Sequence, residues 1–320
     1  MRDKLGRKIN YMRISVTDRC NLFCLYCKKE KLSFKPPEEI LRYEEILRVA
    51  RIAISLGISK IRITGGEPLV RKGITGFVSE LSSLPGLEDI SLTTNGILLA
   101  EFAKPLYKAG LKRINVSLDT LKREKFKDIT GEDEFGNVWK GIENVLAAGM
   151  NPVKINVVLL KGINEDEAAD FVALTKDERI TVRFIELMPL GIQRENNRKL
   201  FVSLDEVLKN LKNIYEMKVY DSGNNLGPAT YYRVKNCGLV GFIGSISGCF
   251  CGDCNRLRLT ASGYLKPCLW SDKAVNIKEI LRAGAPDAEI AEILRKAIRE
   301  KPAEREINKK VSFPMSEAGG

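Results

Sequence analysis

The sequence predicts an α/β fold, a partial barrel of six strand–helix units followed by a differently patterned C-terminal extension. Three observations predict it. Short β-rich runs alternate with amphipathic helical stretches from residue 13 to about residue 213, which gives βα units around a parallel sheet. The runs carry one apolar and one polar face rather than being apolar throughout. From residue 214 the alternation stops and short β runs take over.

The six runs are 13–17, 60–64, 88–94, 112–118, 153–160 and 180–187, fewer than the eight of a closed barrel. Between them, Leu99, Phe102, Ala103, Leu106 and Tyr107 keep helical spacing and stop at Gly110. Val138, Ile142, Val145 and Leu146 do the same and stop at Gly149. Both glycines suit the residue just past a helix end. On the strands, Ile14, Val16, Ile61, Ile63, Ile90, Leu92, Ile114, Val116, Val153 and Ile155 form the apolar face. Arg13, Ser15, Thr17, Arg62, Thr64, Ser91, Thr93, Asn115, Ser117, Asp119, Lys154 and Asn156 form the other. A parallel sheet buried on both faces would read as continuous apolar runs. Helices therefore cover one face, and the polar face lines the cationic interior of an open or partial barrel.

Two regions are expected, 1–213 for the barrel and 214–320 for the extension. Within the latter, β runs fall at 219–220, 230–234 and 239–243. A helical segment from about Asn276 to Lys301 follows, with Ile290, Ile293, Leu294, Ala297 and Ile298 as its packing stripe. The tail from Asn308 to Gly320 reads as irregular.

With 320 residues the chain can build one large core, and no apolar run approaches the ~18 residues of a membrane-spanning helix. The polar N-terminus lacks a signal-peptide pattern, so a cytoplasmic protein with reduced thiols is expected. The net charge of +11 favours an anionic partner. It is spread along the chain, without the concentrated basic face and interleaved aromatics of a nucleic-acid binder. There is no histidine, which removes the usual general base and the commonest metal ligand.

The chemistry-bearing residues are cysteines. Cys20, Cys24 and Cys27 stand at C-x3-C-x2-C after the first run. Three soft thiolates fit a four-iron cluster with one iron open. Structural zinc would take four ligands, usually in paired knuckles, and a disulfide would strand one cysteine. A second group is Cys251, Cys254 and Cys268, with Cys249 just before it. By spacing alone it serves a zinc ribbon or a second iron–sulfur cluster equally well. Cys237 reads as a buried small hydrophobe. Arg256 and Arg258 lie two apart, so in a strand they share a face and make an anion site. Thr64-Gly-Gly-Glu-Pro68 follows the second run, where glycines allow close approach of the backbone.

The first cysteine motif, with an aromatic residue before its last cysteine, resembles the signature of radical S-adenosylmethionine (SAM) enzymes. The wider chain resembles the GTP 3′,8-cyclase family of that superfamily. The likeness runs through Lys4-Leu-Gly-Arg7, Ser15-Val-Thr-Asp-Arg-Cys20, Thr64-Gly-Gly-Glu-Pro68, Thr94-Asn-Gly96, Val116-Ser-Leu-Asp119 and Phe184-Ile-Glu-Leu-Met188. It continues in Phe250-Cys-Gly-Asp-Cys-Asn-Arg-Leu-Arg-Leu-Thr260, Pro267-Cys-Leu269 and the terminal Gly319-Gly320. Ala318, where the family has Ile, departs from the pattern, as does Cys249.

The resemblance implies a partial (βα)6 TIM-like barrel with a C-terminal extension carrying a second iron–sulfur cluster. It implies two [4Fe-4S] clusters, on Cys20, Cys24 and Cys27 and on Cys251, Cys254 and Cys268, with Cys249 a bystander. It matches Tyr26, Gly66, Ser117 and Met188 to SAM contacts. Arg13, Arg62, Thr93, Lys154, Arg183 and the segment Arg256-Leu257-Arg258 match GTP contacts, with Arg13, Arg256 and Arg258 nearest the chemistry. The implied activity is that of a lyase in molybdenum cofactor biosynthesis. A deoxyadenosyl radical takes the 3′ hydrogen of GTP, and C3′ joins C8 to give (8S)-3′,8-cyclo-7,8-dihydroguanosine 5′-triphosphate. Implied partners are an electron donor the sequence does not identify and cyclic pyranopterin monophosphate synthase downstream, with no membrane or nucleic acid, for a monomer or homodimer. The Gly319-Gly320 end is expected to thread toward the barrel. The rival readings are a peptide-modifying radical SAM enzyme and a zinc-dependent nucleic-acid-binding protein.

Overall fold

The computed structural model describes residues 1–27, 34–190, 193–221, 227–248 and 250–305. Cys249 and the Gly319-Gly320 end lie outside the described residues.

The first half runs β1 (Tyr11–Ser15), α1 (Tyr43–Ser55), β2 (Lys60–Thr64), α2 (Ile74–Ser82), β3 (Asp89–Thr94) and α3 (Leu99–Lys108). It continues through β4 (Ile114–Ser117), α4 (Arg123–Thr130), α5 (Phe135–Ala147), β5 (Val153–Leu159), α6 (Ala168–Leu174) and β6 (Ile180–Glu186). Then come α7 (Arg194–Lys199), α8 (Leu204–Ile214), β7 (Met217–Tyr220), β8 (Thr230–Val234), β9 (Leu239–Ile243), β10 (Arg256–Leu259), β11 (Tyr264–Lys266), β12 (Val275–Asn276), α9 (Ile277–Arg282) and α10 (Asp287–Arg299).

The helices form where the spacing places them. Leu99, Ala103 and Leu106 of α3 are buried, as are Val138, Ile142 and Val145 of α5. Gly110 takes φ +102° just past α3, and Gly149 takes φ +89° past α5. The single helical segment expected over Asn276–Lys301 is two helices. Gly284 at φ +82° and Pro286, the residue before α10, break it, since proline cannot continue a helix from the preceding turn. Cys237 is half-buried rather than buried; it packs at the edge of the core from the turn after β8.

The sheet has twelve strands in the order β12-β11-β10-β1-β2-β3-β4-β5-β6-β9-β8-β7. Strands β1 to β6 are parallel and sequential. The C-terminal strands join both edges of this sheet: β9 pairs parallel with β6, and β10 pairs parallel with β1. Arg256 and Arg258 therefore lie on an interior strand, between β1 and β11, not on a solvated edge.

Register turns the polar stripe into rows. Arg13 is level with Arg258 on one side and Arg62 on the other, and Arg62 with Ser91. Higher up, Thr93 is level with Asn115, Asn115 with Lys154, and Asn156 with Arg183. The opposite face holds Met12, Ile14, Ile61, Ile63, Leu92, Val116, Ile155, Leu257 and Leu259, all essentially inaccessible in the main core. The sheet curves so that the polar face looks inward. Arg62 on β2 repels both Lys154 on β5 and Arg183 on β6. On a flat sheet β2 and β6, four strand steps apart, would stand roughly 19 Å from one another.

Candidate active site

The two cysteine sets lie at opposite ends of adjacent strands. Cys20, Cys24 and Cys27 follow the C-terminal end of β1. Cys251 and Cys254 precede β10, which runs parallel to β1. Cys268 follows β11, which is antiparallel to β10, and so returns to the same end as Cys254. Between the two ends stand Arg13 and Arg258, side by side. The strand length separating them, from Tyr11 to Ser15, is about 13 Å at about 3.3 Å per residue.

The first cysteine loop is held from two sides. Phe23 N donates to Thr130 O at 2.8 Å and Leu25 N to Ile129 O at 2.9 Å, pinning the loop to the end of α4. Gly66 N donates to Thr17 O and Glu67 N to Arg19 O, both at 2.7 Å. A Cβ on Gly66 would lie 2.2 Å from Arg19 O, and one on Gly65 2.8 Å from Thr17 O. The close approach that requires these glycines is thus to the cysteine loop's own backbone. Glu67 beneath them accepts from Leu69 N, Asn95 N and Thr94 Oγ1 at 2.9, 2.6 and 2.8 Å. Burial pushes its carboxyl up to about 7, against the pull of those three donors.

Around the loop, Asn95 Nδ2 donates to Asn21 Oδ1 at 2.8 Å and approaches Cys20 Sγ at 3.9 Å. Tyr26 Oη donates to Asp119 at 2.6 Å, and Val158 N donates to the same carboxylate at 2.8 Å. Burial raises Asp119 to about 6, while those hydrogen bonds pull it down. The Cys24 thiol is pushed well above its ordinary value, by burial first and then by Cys27, Asp119 and Cys20. The three thiols therefore stand close enough to disfavour one another's ionisation. Among the described residues, no three cysteines or carboxylates close around one point as for a single metal ion. The donor set of three thiols, with an amide N–H directed at one sulfur, fits a four-iron cluster. Gly66, Ser117 and Met188 all lie at or just past the C-terminal ends of their strands, on the side of this loop. The Met188 carbonyl and the Tyr26 carbonyl are joined by Asn197 Nδ2 at 3.3 and 3.0 Å.

The interior is cationic. Arg13 is held well below its ordinary value, by burial and then by Arg258, Arg62 and Arg256. Arg183 and Arg258 are lowered to about 10, mainly by burial. Lys154 falls to about 7 through burial and then Arg183, Arg113 and Arg62, with Asp89 opposing. Arg183 Nη2 donates to Asn115 Oδ1, Arg62 Nε to Ser91 Oγ at 3.2 Å, and the Lys154 ammonium stands 5.8 Å from the Tyr231 ring centroid. The hydroxyls of Thr93 and Tyr11 and the side-chain oxygen of Asn156 are buried with no hydrogen-bond partner among the described residues. Like-charged groups gathered in this way, with polar atoms left over, make a site for a polyanion.

At the second set, burial pushes the Cys254 thiol up, but Arg256 and Lys301 outweigh it and bring it down to about 6. Arg7 Nη1 donates to Cys251 O at 2.7 Å. Glu186, fully buried, accepts from Ile246 N and Ser247 N at 2.6 and 2.9 Å and so fixes the loop leading into this set. Three thiols, with Cys254 drawn down by neighbouring cations, fit an iron–sulfur group as the first set does.

The structure thus brings Arg13, Arg62, Thr93, Lys154, Arg183 and Arg258 into one interior and places the two cysteine sets at its two ends. Sequence reasoning missed Tyr11, Tyr231, Lys266 and Lys301. Tyr11 could have been found by extending the β1 alternation two residues upstream. Lys266, level with Arg258 and fully buried, required the β10–β11 register.

Comparisons with known proteins agree. The Radical SAM superfamily model matches residues 14–175, and the Molybdenum Cofactor Synthesis C model matches residues 180–307. A protein named GTP 3′,8-cyclase from Moorella thermoacetica is 48% identical over 324 residues, covering 100% of both chains. One of the same name from Thermodesulfovibrio yellowstonii is 48% identical over 323 residues with the same coverage. Among solved structures, Streptococcus suis SuiB bound to S-adenosylmethionine aligns with a TM-score of 0.63 at 15% identity, over 89% of this chain and 68% of that one. Native anSMEcpe with bound AdoMet aligns at 0.57 and 17% identity, over 92% of each. These two carry the fold alone: the partial barrel predicted from strand alternation is the radical SAM fold. With family models over both halves and full-length relatives at this identity, the chain belongs to the GTP 3′,8-cyclase family of the radical SAM superfamily.

Proposed function

We propose that the protein is a GTP 3′,8-cyclase acting in molybdenum cofactor biosynthesis, a lyase that joins C3′ to C8 of GTP. The observation that carries this reading is the pair of cysteine sets at the two ends of β1 and β10, with registered arginines between them. The first set, Cys20, Cys24 and Cys27, would hold a [4Fe-4S] cluster, and Cys251, Cys254 and Cys268 a second one. Bound there, the first cluster with SAM supplies one-electron hydrogen-abstraction chemistry.

The chain's own residues do the rest. Tyr26, Gly66, Ser117 and Met188 form the SAM contacts, beside the loop that Glu67 and Asp119 stiffen. Lys154, Arg62 and Arg183 neutralise the triphosphate, with Thr93 offering a hydroxyl that has no partner among the described residues. Arg13, Arg256 and Arg258 hold the nucleoside between the cysteine sets, and the guanine would lie toward the second cluster. Leu257, matched to a GTP contact by resemblance, has its side chain in the main core on the other face and only spaces the two arginines. Hydrogen abstraction depends on positioning and exclusion of water more than on acid–base groups, so a chain without histidine suffices. The two-region division at 213/214 separates the SAM-handling barrel from the extension that carries the second set. The product would pass to cyclic pyranopterin monophosphate synthase, and a separate cytoplasmic protein would donate electrons to the monomer or homodimer. Among the described residues no helix is long and apolar enough to cross a membrane.

The test is anaerobic incubation of the iron-reconstituted protein with GTP, SAM and dithionite, followed by mass spectrometry of the nucleotides. Formation of the cyclic dihydro-nucleotide together with deoxyadenosine and methionine is expected. Deoxyadenosine without any GTP-derived product would overturn the reading.

A further inference from the structure

Beside the second cysteine set the fold buries a lysine. Lys301 lies just past α10 and is only 7% exposed. Its Nζ donates to Arg256 O at 2.8 Å and to Pro267 O at 2.6 Å. Those carbonyls stand two residues after Cys254 and one before Cys268, so one ammonium ties together both segments that carry the set. Both carbonyls belong to segments that carry the set, so the ammonium stands against it; burial lowers this lysine, and Cys254 and Cys268 oppose that shift.

The lysine's backbone is equally fixed. Arg7 Nη2 donates to Pro302 O at 2.8 Å and to Lys301 O at 3.4 Å. Its Nη1 reaches Ala303 O at 3.3 Å as well as Cys251 O, and its Nε is held on Asp3 at 2.6 Å. The 301–303 segment is thereby bound to the backbone of the third cysteine. A buried ammonium is costly unless an anion compensates it. Its carbonyl partners are neutral, so the anion left to compensate it is the group that Cys251, Cys254 and Cys268 would hold.

We infer that Lys301 is the charge-setting residue of the second cluster, a fixed buried cation that favours the cluster's reduced, more negative state. This rests on the reading of Cys251, Cys254 and Cys268 as a second [4Fe-4S] site. A reduced cluster carries one more negative charge than an oxidised one. A positive charge at contact distance, screened by little solvent, stabilises it and raises its reduction potential. Arg256 and Arg258 also face this region, but their guanidiniums are committed to the nucleotide when it binds. Lys301 keeps its two backbone carbonyls in either state, so its contribution does not depend on substrate. It is a positioning residue, acting on substrate only through the cluster.

The experiment is a dithionite-poised redox titration of the full-length, anaerobically reconstituted protein without GTP, read by electron paramagnetic resonance, with iron content measured in parallel. Lys301→Gln should move the second cluster's midpoint to more negative potential while the first cluster's midpoint and the iron content stay as in wild type. Lys301→Arg, which keeps the charge, should return the midpoint toward wild type. A Lys301→Gln protein with both clusters and an unmoved second midpoint overturns the inference. If Lys301→Gln instead loses the second cluster, the arginine variant decides: a retained cluster there supports a requirement for charge, and loss in both variants assigns the residue to packing and overturns the proposal. Wild-type protein with iron for one cluster only overturns the second-cluster reading itself, before any variant is compared.

Discussion

Lys154 makes substrate binding a proton-linked event, and the structure fixes its sign. In the free protein the ammonium is brought down to about 7 by burial and by Arg183, Arg113 and Arg62. At pH 8 roughly a tenth of the molecules carry that charge, from one pH unit above the midpoint. A bound triphosphate adds several negative charges to the same interior and restores the ordinary preference for the ammonium. GTP binding at pH 8 should therefore take up close to one proton. Above pH 7 the affinity should fall by up to about tenfold per pH unit, or about 1.4 kcal/mol. At this pH the triphosphate is itself fully ionised and contributes little to the exchange. The assay is calorimetric titration of GTP in two buffers of different ionisation enthalpy, at pH 6 and pH 8. Uptake should be near one proton at pH 8; at pH 6, where Lys154 is already charged and the free γ-phosphate is partly protonated, it should vanish or turn into release. Lys154→Arg, charged throughout, should abolish the uptake at pH 8. Equal uptake at the two pH values, or unchanged uptake in Lys154→Arg, would refute the argument.

Other outcomes follow from the same geometry. Cys24→Ala should lower iron from about eight to about four atoms per chain and abolish cleavage of SAM, as measured by iron analysis and deoxyadenosine release. Gly66→Ala forces a methyl group against Arg19 O, and the stiff GGEP turn gives it no room. It should displace the cysteine loop and cost the first cluster while the second remains, distinguishable by the spectra of the two clusters. Arg258→Ala should weaken GTP binding by roughly tenfold to a hundredfold, the range expected for about 1.5–3 kcal/mol from a charged hydrogen bond, and leave SAM binding near wild type in a filter or calorimetric assay.

The strand faces were legible because period-two alternation is a local property, and four of the polar-stripe positions, Arg13, Arg62, Thr93 and Lys154, are among those the fold gathers in its interior. The row Arg258–Arg13–Arg62 was not legible. It depends on β10 inserting beside β1, with Arg13 and Arg258 level though 245 residues apart in sequence, and no local pattern specifies that register. Glycines were readable as marks of close approach, but not what they approach: Gly66 meets Arg19 of its own chain. Lys301 sits in Arg299-Glu-Lys301-Pro, which reads as the solvated end of a basic helix. Only the return of the chain against Arg256 and Pro267 makes it an internal cation.

That last case bears on the meaning of the net charge. Several of the chain's cations form no ion pair among the described residues and donate to backbone carbonyls instead. Lys301 donates to Arg256 and Pro267, Arg71 to Val16 and Leu41, and Arg305 to Gly248 and Ile246. Carbonyls satisfy an N–H without cancelling its charge. Loops tied down in this way keep a positive field in the interior, where a carboxylate partner would have removed it. A share of the +11 is thus architectural, and the same residues that fix the loops bias the interior toward a polyanion. In such a field an added carboxylate is a competitor for the substrate: a Thr93→Asp protein should fold, retain both clusters, and bind GTP far more weakly than a Thr93→Val protein, which loses only a hydroxyl.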